Sequence, residues 1–143
     1  MQNMKSNKKT IIAISGGVDS AVSALLLKEQ GYEVIGVFMR LGHFGAKSEA
    51  AARAVCRYLG IRFYPANISD RFRSEVMSYF IDTYAQGLTP NPCVKCNRVI
   101  KFGAMLDIMR DLGAECLATG HYASIKNEEL RMRMLSRTVI LHY

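Results

Sequence analysis

No stretch of this 143-residue chain stays apolar for the roughly 18 residues that a membrane-spanning helix needs, so a soluble protein is expected. The opening "MQNMKSNKKT" is polar and basic and meets only four apolar residues before Ser15. That is too few for the apolar core of a secretory signal, and the reading is cytoplasmic. Cysteine is scarce: four residues in a cytosolic chain argue against a disulfide scaffold and leave metal, redox or nucleophile roles for any that cluster. Only Cys93 and Cys96 do. Internal repeats and low-complexity segments are absent too, which removes solenoids and disordered linkers.

What the chain does have is an ordinary globular balance, 50% hydrophobic and 22% charged, at a length that suits one domain. A domain of about 150 residues buries roughly 68–70% of its unfolded surface, enough for a real core. The formal charge of +7 favours a polyanionic partner, although a merely basic surface accounts for it equally well. Lys5, Lys8 and Lys9, with the arginines at 131, 133 and 137, are read as solvated charges near the chain ends.

Short apolar runs alternate with segments of helical period, the pattern of an α/β protein: an open, mostly parallel sheet with helices on both faces. "TIIAI" is the first expected strand, and Val18, Ala21, Val22, Leu25 and Leu26 then trace a helical stripe that stops at Gly31. "EVIGVFM" is the second strand. A second helix carries Ala51, Ala54, Val55, Tyr58 and Leu59 and ends at Gly60, before a short strand, "IRFYPAN", expected to stop near Pro65. A third helix shows Phe72, Val76, Tyr79, Phe80 and Thr83 on one face. "LTPNPCVKCN" is read as an irregular loop, after which Ile100, Ala104, Met105, Ile108 and Leu112 resume the helical period. "AECLATG" is a further buried strand. Beyond Ala123 the tail ends in an apolar run, "TVIL", with no following fold unit.

"SGGVDS" lies between the first strand and the first helix, at the carboxyl end of a strand where open α/β sheets bind ligands. It lacks the lysine of a GxxxxGK[ST] loop and the third glycine of the dinucleotide fingerprint. The helix start still offers N–H groups and about half a positive charge, Gly16 and Gly17 let backbone approach an anion, and Ser15 and Ser20 can add hydrogen bonds. A carboxylate among phosphates, Asp19, hints at a metal–nucleotide ligand such as a magnesium complex. The plainer alternative is a strand-to-helix turn with a serine or aspartate cap.

"SGGVDS" after an apolar strand resembles the pyrophosphate-binding loop of the ATP pyrophosphatase (PP-loop) superfamily. With "GVFM", "TPNPCVKCNRVIKFGAM" and "ATGHYA" in this order, residues 10 to 123 are similar to the tRNA-specific 2-thiouridylase family. The resemblance implies ATP and Mg²⁺ as cofactors, with Ala13, Ile14, Ser15, Gly16, Gly17, Val18, Asp19 and Ser20 around the phosphates. It places Met39 at the adenine and Gly120 where the nucleotide needs backbone room. Asn91, Pro92 and Cys93 would touch the wobble uridine of a tRNA, and Cys96 would be the catalytic nucleophile. In the family's scheme the uracil 2-oxygen is adenylated, and sulfur from a cysteine persulfide then displaces AMP. Partners implied are tRNA and a persulfide donor protein, a sulfur relay protein or a cysteine desulfurase.

On chemical grounds Cys96 just before a helix is expected to be acidified by the helix N-terminus and by Lys95, Arg98 or Lys101. A CxxC pair also suits zinc, an iron–sulfur cluster or redox exchange, but further ligands for a tetrahedral site are scattered among Cys56, Cys116, His43, His121 and His142, and no metal is expected. Cys56 and Cys116 are read as core thiols, and His121 as either a phosphate or base contact or a structural hydrogen bond. Many family members carry aspartate at the position of Cys93. As neighbouring thiols exchange sulfur, Cys93 is a second catalytic candidate, a sulfur carrier. The expected organisation is a PP-loop domain over residues 1–123 and an atypical tail over 124–143, short of the family's second cysteine, central region and C-terminal barrel. The alternative function is therefore a non-catalytic ATP-binding remnant, and another PP-loop ligase is disfavoured by "NPCVKCN".

Overall fold

The computed structural model describes residues 8–42, 45–122 and 138–142. Strand β1 (Lys9–Ala13) stands in the middle of the sheet, because Thr10, Ile11 and Ile12 bury side chains on both of its faces. Around it lie β2 (Glu33–Arg40), β3 (Arg62–Asn67), β4 (Cys116–Tyr122) and β5 (Thr138–His142), in the order β3-β2-β1-β4-β5. The first four strands run parallel, and β5 pairs antiparallel with β4. The late apolar run "TVIL" is thus backbone-paired into the sheet.

Parallel neighbours require crossovers, and helices supply them. Helix α1 (Val18–Glu29) joins β1 to β2, and α2 (Ala46–Leu59) joins β2 to β3. Helix α3 is continuous through α-helical Ser69–Phe72, π-helical Arg73–Met77 and α-helical Ser78–Ala85. Helix α4 likewise runs from Pro92–Cys96 through π-helical Asn97–Ala104 to Met105–Asp111. Alternation along the strands sends side chains to two cores. Ile12, Ile14, Val34 and Phe38 meet Ala24 and Leu27 of α1 and Ala52, Cys56 and Leu59 of α2, while Ile11, Ile35, Val37 and Leu117 meet Met105 and Met109 of α4. Helices therefore cover both faces of an open, mainly parallel sheet, as the alternation of the sequence predicts. No helix among the described residues is long and apolar enough to cross a membrane.

Four local expectations are corrected. The apolar stripe of α1 faces outward, with Val18 77% exposed and Val22 and Leu25 also open, while Ser20, Ser23, Ala24 and Leu27 face the sheet. The rotation is set by close approach: only small side chains fit where α1 runs against β4, and the Ser20 hydroxyl turns back to bond the preceding loop. On α2 the buried residues are Ala52, Cys56 and Leu59; of the expected stripe Leu59 is buried and Val55 packs against the core, while Tyr58 is 91% exposed. There the backbone of Gly16 packs against Ser48, Ala51 and Ala52. Strand β3 runs through Pro65, paired opposite Phe38, because it is an edge strand and one of its sides needs no ladder donors. Finally, the loop expected across "LTPNPCVKCN" ends at Asn91, and Pro92 starts α4.

Arg40, the last residue of β2, grips Glu49 of α2 through two bonds, Nε to Oε2 at 2.8 Å and Nη2 to Oε1 at 2.6 Å, and Arg53 adds a third at 3.1 Å. The Arg40 hydrogen bond leads in holding the Glu49 carboxyl down from the usual value near 4.5 to about 2. Because the folded value is the depressed one, the contribution of this pair is present above the ordinary glutamate range and is lost as pH falls toward about 2. An NMR titration of the Glu49 carboxyl carbon is expected to show a midpoint near 2 that rises toward the usual 4.5 in Arg40→Ala, with Arg53 keeping part of the depression. A wild-type midpoint above 4 would show that the pair does not form in solution.

Candidate active site

The chain leaves β1 toward β2 on one side, and β4 lies on the other, so the carboxyl ends of β1 and β4 flank the point where strand order reverses. In open α/β sheets the crevice at that point is where ligands bind. The turn out of β1 is tied by its two serines. Ser15 N–H donates to Ser20 Oγ at 3.2 Å, the Ser20 hydroxyl donates to the Gly17 carbonyl at 3.1 Å, and Gly17 N–H donates to Ser15 Oγ at 3.3 Å. Gly16 sits at φ +82°, and Gly17 precedes the first helical residue with no side chain capping it. The N-terminus of α1 is thereby presented by backbone alone, a favourable end for an anion.

A cavity of about 670 Å³ opens over this turn. Of the residues expected at the nucleotide, Ala13, Ile14, Ser15, Asp19, Ser20, Met39 and Gly120 line it. Gly16, Gly17 and Val18 belong to the turn but not to the lining. Gly16 packs toward α2, where a Cβ would stand 2.6 Å from the Ser48 carbonyl oxygen. Gly120 packs just as closely on α1: a Cβ there would lie 2.9 Å from the Ser20 backbone nitrogen. The glycine of β4 thus brings the strand against the helix start that closes one side of the cavity.

Phe38, Leu41, Gly42, Gly45, Ser48, Phe72, Lys101, Thr119 and His121 complete the wall. Phe38, Leu41 and Thr119 follow from their places at or beyond the carboxyl ends of β2 and β4, a signal present in the sequence and not used. Phe72 and Lys101 come from α3 and α4, and only tertiary packing brings them in. His121 lines the cavity with its Nδ1 3.0 Å from Thr119 Oγ1, so it is both a wall residue and locally hydrogen-bonded.

Asn91, Pro92, Cys93 and Cys96 stand at the start of α4, outside the cavity lining. Asn91 is the helix cap, its Oδ1 accepting the Val94 N–H at 3.2 Å, and Pro92 takes the first helical position, where its missing N–H has no partner to lose. Cys93 is exposed and Cys96 half-buried, both as free thiols. The expected acidification of Cys96 does not occur. Burial pushes its thiol up, outweighing the pull of the Lys101 ammonium, and Cys93 adds a smaller push in the same direction. The physical reason is position: Cys96 closes the first turn of α4, where the field of the helix N-terminus has faded, and its surroundings are partly apolar. Cys56 and Cys116 are buried core thiols as expected, and burial lifts Cys56 to about 11. No group of three or more metal-ligating side chains occurs among the described residues.

The family described as tRNA methyl transferase HUP domain matches residues 8–140. The chain belongs to this family. Similar proteins include the tRNA-specific 2-thiouridylase MnmA 1 of Aliarcobacter butzleri, 48% identical over 82% of this chain and 35% of that protein. The tRNA-specific 2-thiouridylase MnmA of Clostridium acetobutylicum is 47% identical over 87% of this chain and 39% of its own length. The HUP domain chain thus spans well under half the length of the curated relatives it matches. Among solved structures, the U34-tRNA thiolase NcsA from Methanococcus maripaludis with its [4Fe-4S] cluster superposes with a TM-score of 0.64 at 26% identity, over 83% of this chain and 40% of that one. The glutamine-dependent NAD+ synthetase from Acinetobacter baumannii in complex with ADP shares the HUP fold, with a TM-score of 0.58 at 19% identity over 90% of this chain and 24% of that one.

Proposed function

We propose that this HUP domain binds ATP with its phosphates on the β1–α1 turn and uses it to activate the wobble uridine of a tRNA for 2-thiolation. The observation that carries the reading is one cavity joining Ser15, Asp19 and Ser20 to Met39 and Gly120. Its volume lies within the ~300–1,000 Å³ typical of small-molecule sites. The backbone-capped helix end favours phosphate, Phe38 and Met39 offer an apolar seat for adenine, and the Asp19 carboxylate suits a Mg²⁺ carried by the phosphates. The names of the 2-thiouridylase relatives supply tRNA as the second substrate.

The uracil 2-oxygen attacks the α-phosphorus of ATP, and pyrophosphate leaves. The terminal sulfur of a Cys96 persulfide, loaded by a sulfur relay protein or a cysteine desulfurase, then attacks C2, and AMP departs with the original oxygen. In this scheme Cys93, three residues earlier on the same helix turn, is the resolving thiol in place of the sulfur carrier expected from the sequence: it attacks the inner Cys96 sulfur, forms a disulfide and releases the thiolated base, and a cellular dithiol restores the pair.

Pyrophosphate release by the purified chain with ATP is expected to depend on added tRNA. Cys96→Ala is expected to keep that release while sulfur incorporation falls at least a hundredfold, because adenylation precedes the thiol step. ATP binding without tRNA-dependent turnover would favour a nucleotide-binding module without catalysis, and absence of ATP binding would sink both readings.

A further inference from the structure

Among the described residues, Lys101 is the lysine or arginine that lines the cavity. That cavity opens over the β1–α1 turn, and the Lys101 ammonium is also the charge that acts on the Cys96 thiol. Two other cations of this region are engaged by carboxylates: Arg71 by Asp107 at 2.7 Å and Lys95 by Glu75 at 3.6 Å. No ion pair engages Lys101 among the described residues. The local backbone explains how it reaches both places. In an α-helix a residue five positions on stands roughly 140° around the axis, turned away from the first. Between Asn97 and Ala104 helix α4 is π-helical, and in i→i+5 bonding the residue five positions on returns toward the face of the first, so the backbone register brings Lys101 toward the face of Cys96. Short π-helical stretches inside α-helices are rare and occur frequently at functional sites.

We propose that Lys101 links the two halves of the reaction, contacting the phosphate of the bound nucleotide from the cavity wall and serving as the counter-ion for the sulfur anion of Cys96. The proposal rests on the ATP-binding reading and adds to it the residue that joins nucleotide to nucleophile. A single ammonium facing both would bring the adenylate and the attacking sulfur, both negative, to one place and offset their mutual repulsion. The charged groups that face Cys96 are Lys101 and Cys93, both on its own helix, while Lys95 is turned to Glu75 of α3.

Lys101→Gln and Lys101→Arg variants of the full chain test this with two readouts. The first is the pH profile of Cys96 alkylation by iodoacetamide without nucleotide, with Cys96 separated from Cys93 by tryptic cleavage at Lys95 and quantified by mass spectrometry. The second is ATP affinity by calorimetry. Lys101→Gln is expected to move the alkylation profile to higher pH and to weaken ATP binding about tenfold, a loss of one charge-assisted contact. Lys101→Arg is expected to keep both near wild type, which a merely structural role would not require. An unchanged alkylation profile in Lys101→Gln overturns the proposal whatever happens to ATP. An unchanged affinity in a chain whose wild type binds ATP overturns it as well, leaving the ATP reading intact. A wild type that binds no ATP overturns that reading and, with it, the phosphate contact.

Discussion

Gly120→Ala is expected to abolish measurable ATP binding and to lower the melting temperature. A methyl group at this position would stand 2.9 Å from the Ser20 nitrogen, 3.0 Å from the Ser20 Cα and 3.1 Å from the Asp19 carbonyl carbon. All three neighbours are backbone, so no side chain can rotate aside; either the first turn of α1 or the end of β4 must shift. Overpacking of this kind costs about 1–3 kcal/mol, which for a domain of this size lowers the melting temperature by several degrees. The larger effect is on function. Ser20 hydrogen-bonds both Ser15 and Gly17, so a shift of the Ser20 backbone opens the turn proposed to hold the phosphates. Gly42→Ala is the control, since Gly42 also lines the cavity but a Cβ there meets nothing within 4 Å. Equal ATP affinity in the two variants would show that the β4–α1 contact does not shape the site.

For Gly16→Ala the main expectation is loss of stability, by about 2–5 kcal/mol. The left-handed conformation at φ +82° costs an L-residue roughly 1–2 kcal/mol, and a Cβ 2.6 Å from the Ser48 carbonyl oxygen adds an overpacking term of about 1–3 kcal/mol. Moving α2 to relieve the clash would pull on the Arg40–Glu49 grip, which starts at the very next residue, so relief at one point strains another. A melting-temperature drop of ~10 °C or more is expected. Gly17→Ala, at φ −86° and with only Ser15 Oγ at 3.3 Å, is expected to stay within a few degrees of wild type. Comparable losses in the two variants would mean that the turn is not held against α2.

Much of the candidate cavity was legible in advance. "SGGVDS" after an apolar strand suits a backbone-built anion site, with a plain capped turn as the alternative, and the structure brings Ser15, Asp19 and Ser20 together with Met39 and Gly120 around one cavity. The helix faces were less legible. Val18, Val22 and Leu25 keep perfect helical spacing yet point outward, because the face toward the sheet was chosen by close approach rather than by apolar area. The acidity of Cys96 was misread for a related cause: its neighbours in sequence are cations, but its neighbours in space exclude water, and the second effect is larger.

From its residues alone the chain determined an α/β sheet, the strand ends at which a ligand would sit, and a glycine turn suited to phosphate, since these depend on alternation and local backbone freedom. Tertiary structure alone decided which helix faces are buried, that Phe72 and Lys101 reach the cavity, and that β3 passes through Pro65 at an open edge. The reason is range: periodicity and turn chemistry act over a few residues, whereas close approach between β4 and α1, or a π-helical turn that brings Lys101 toward the face of Cys96, is set by elements far apart in the chain or by their packing.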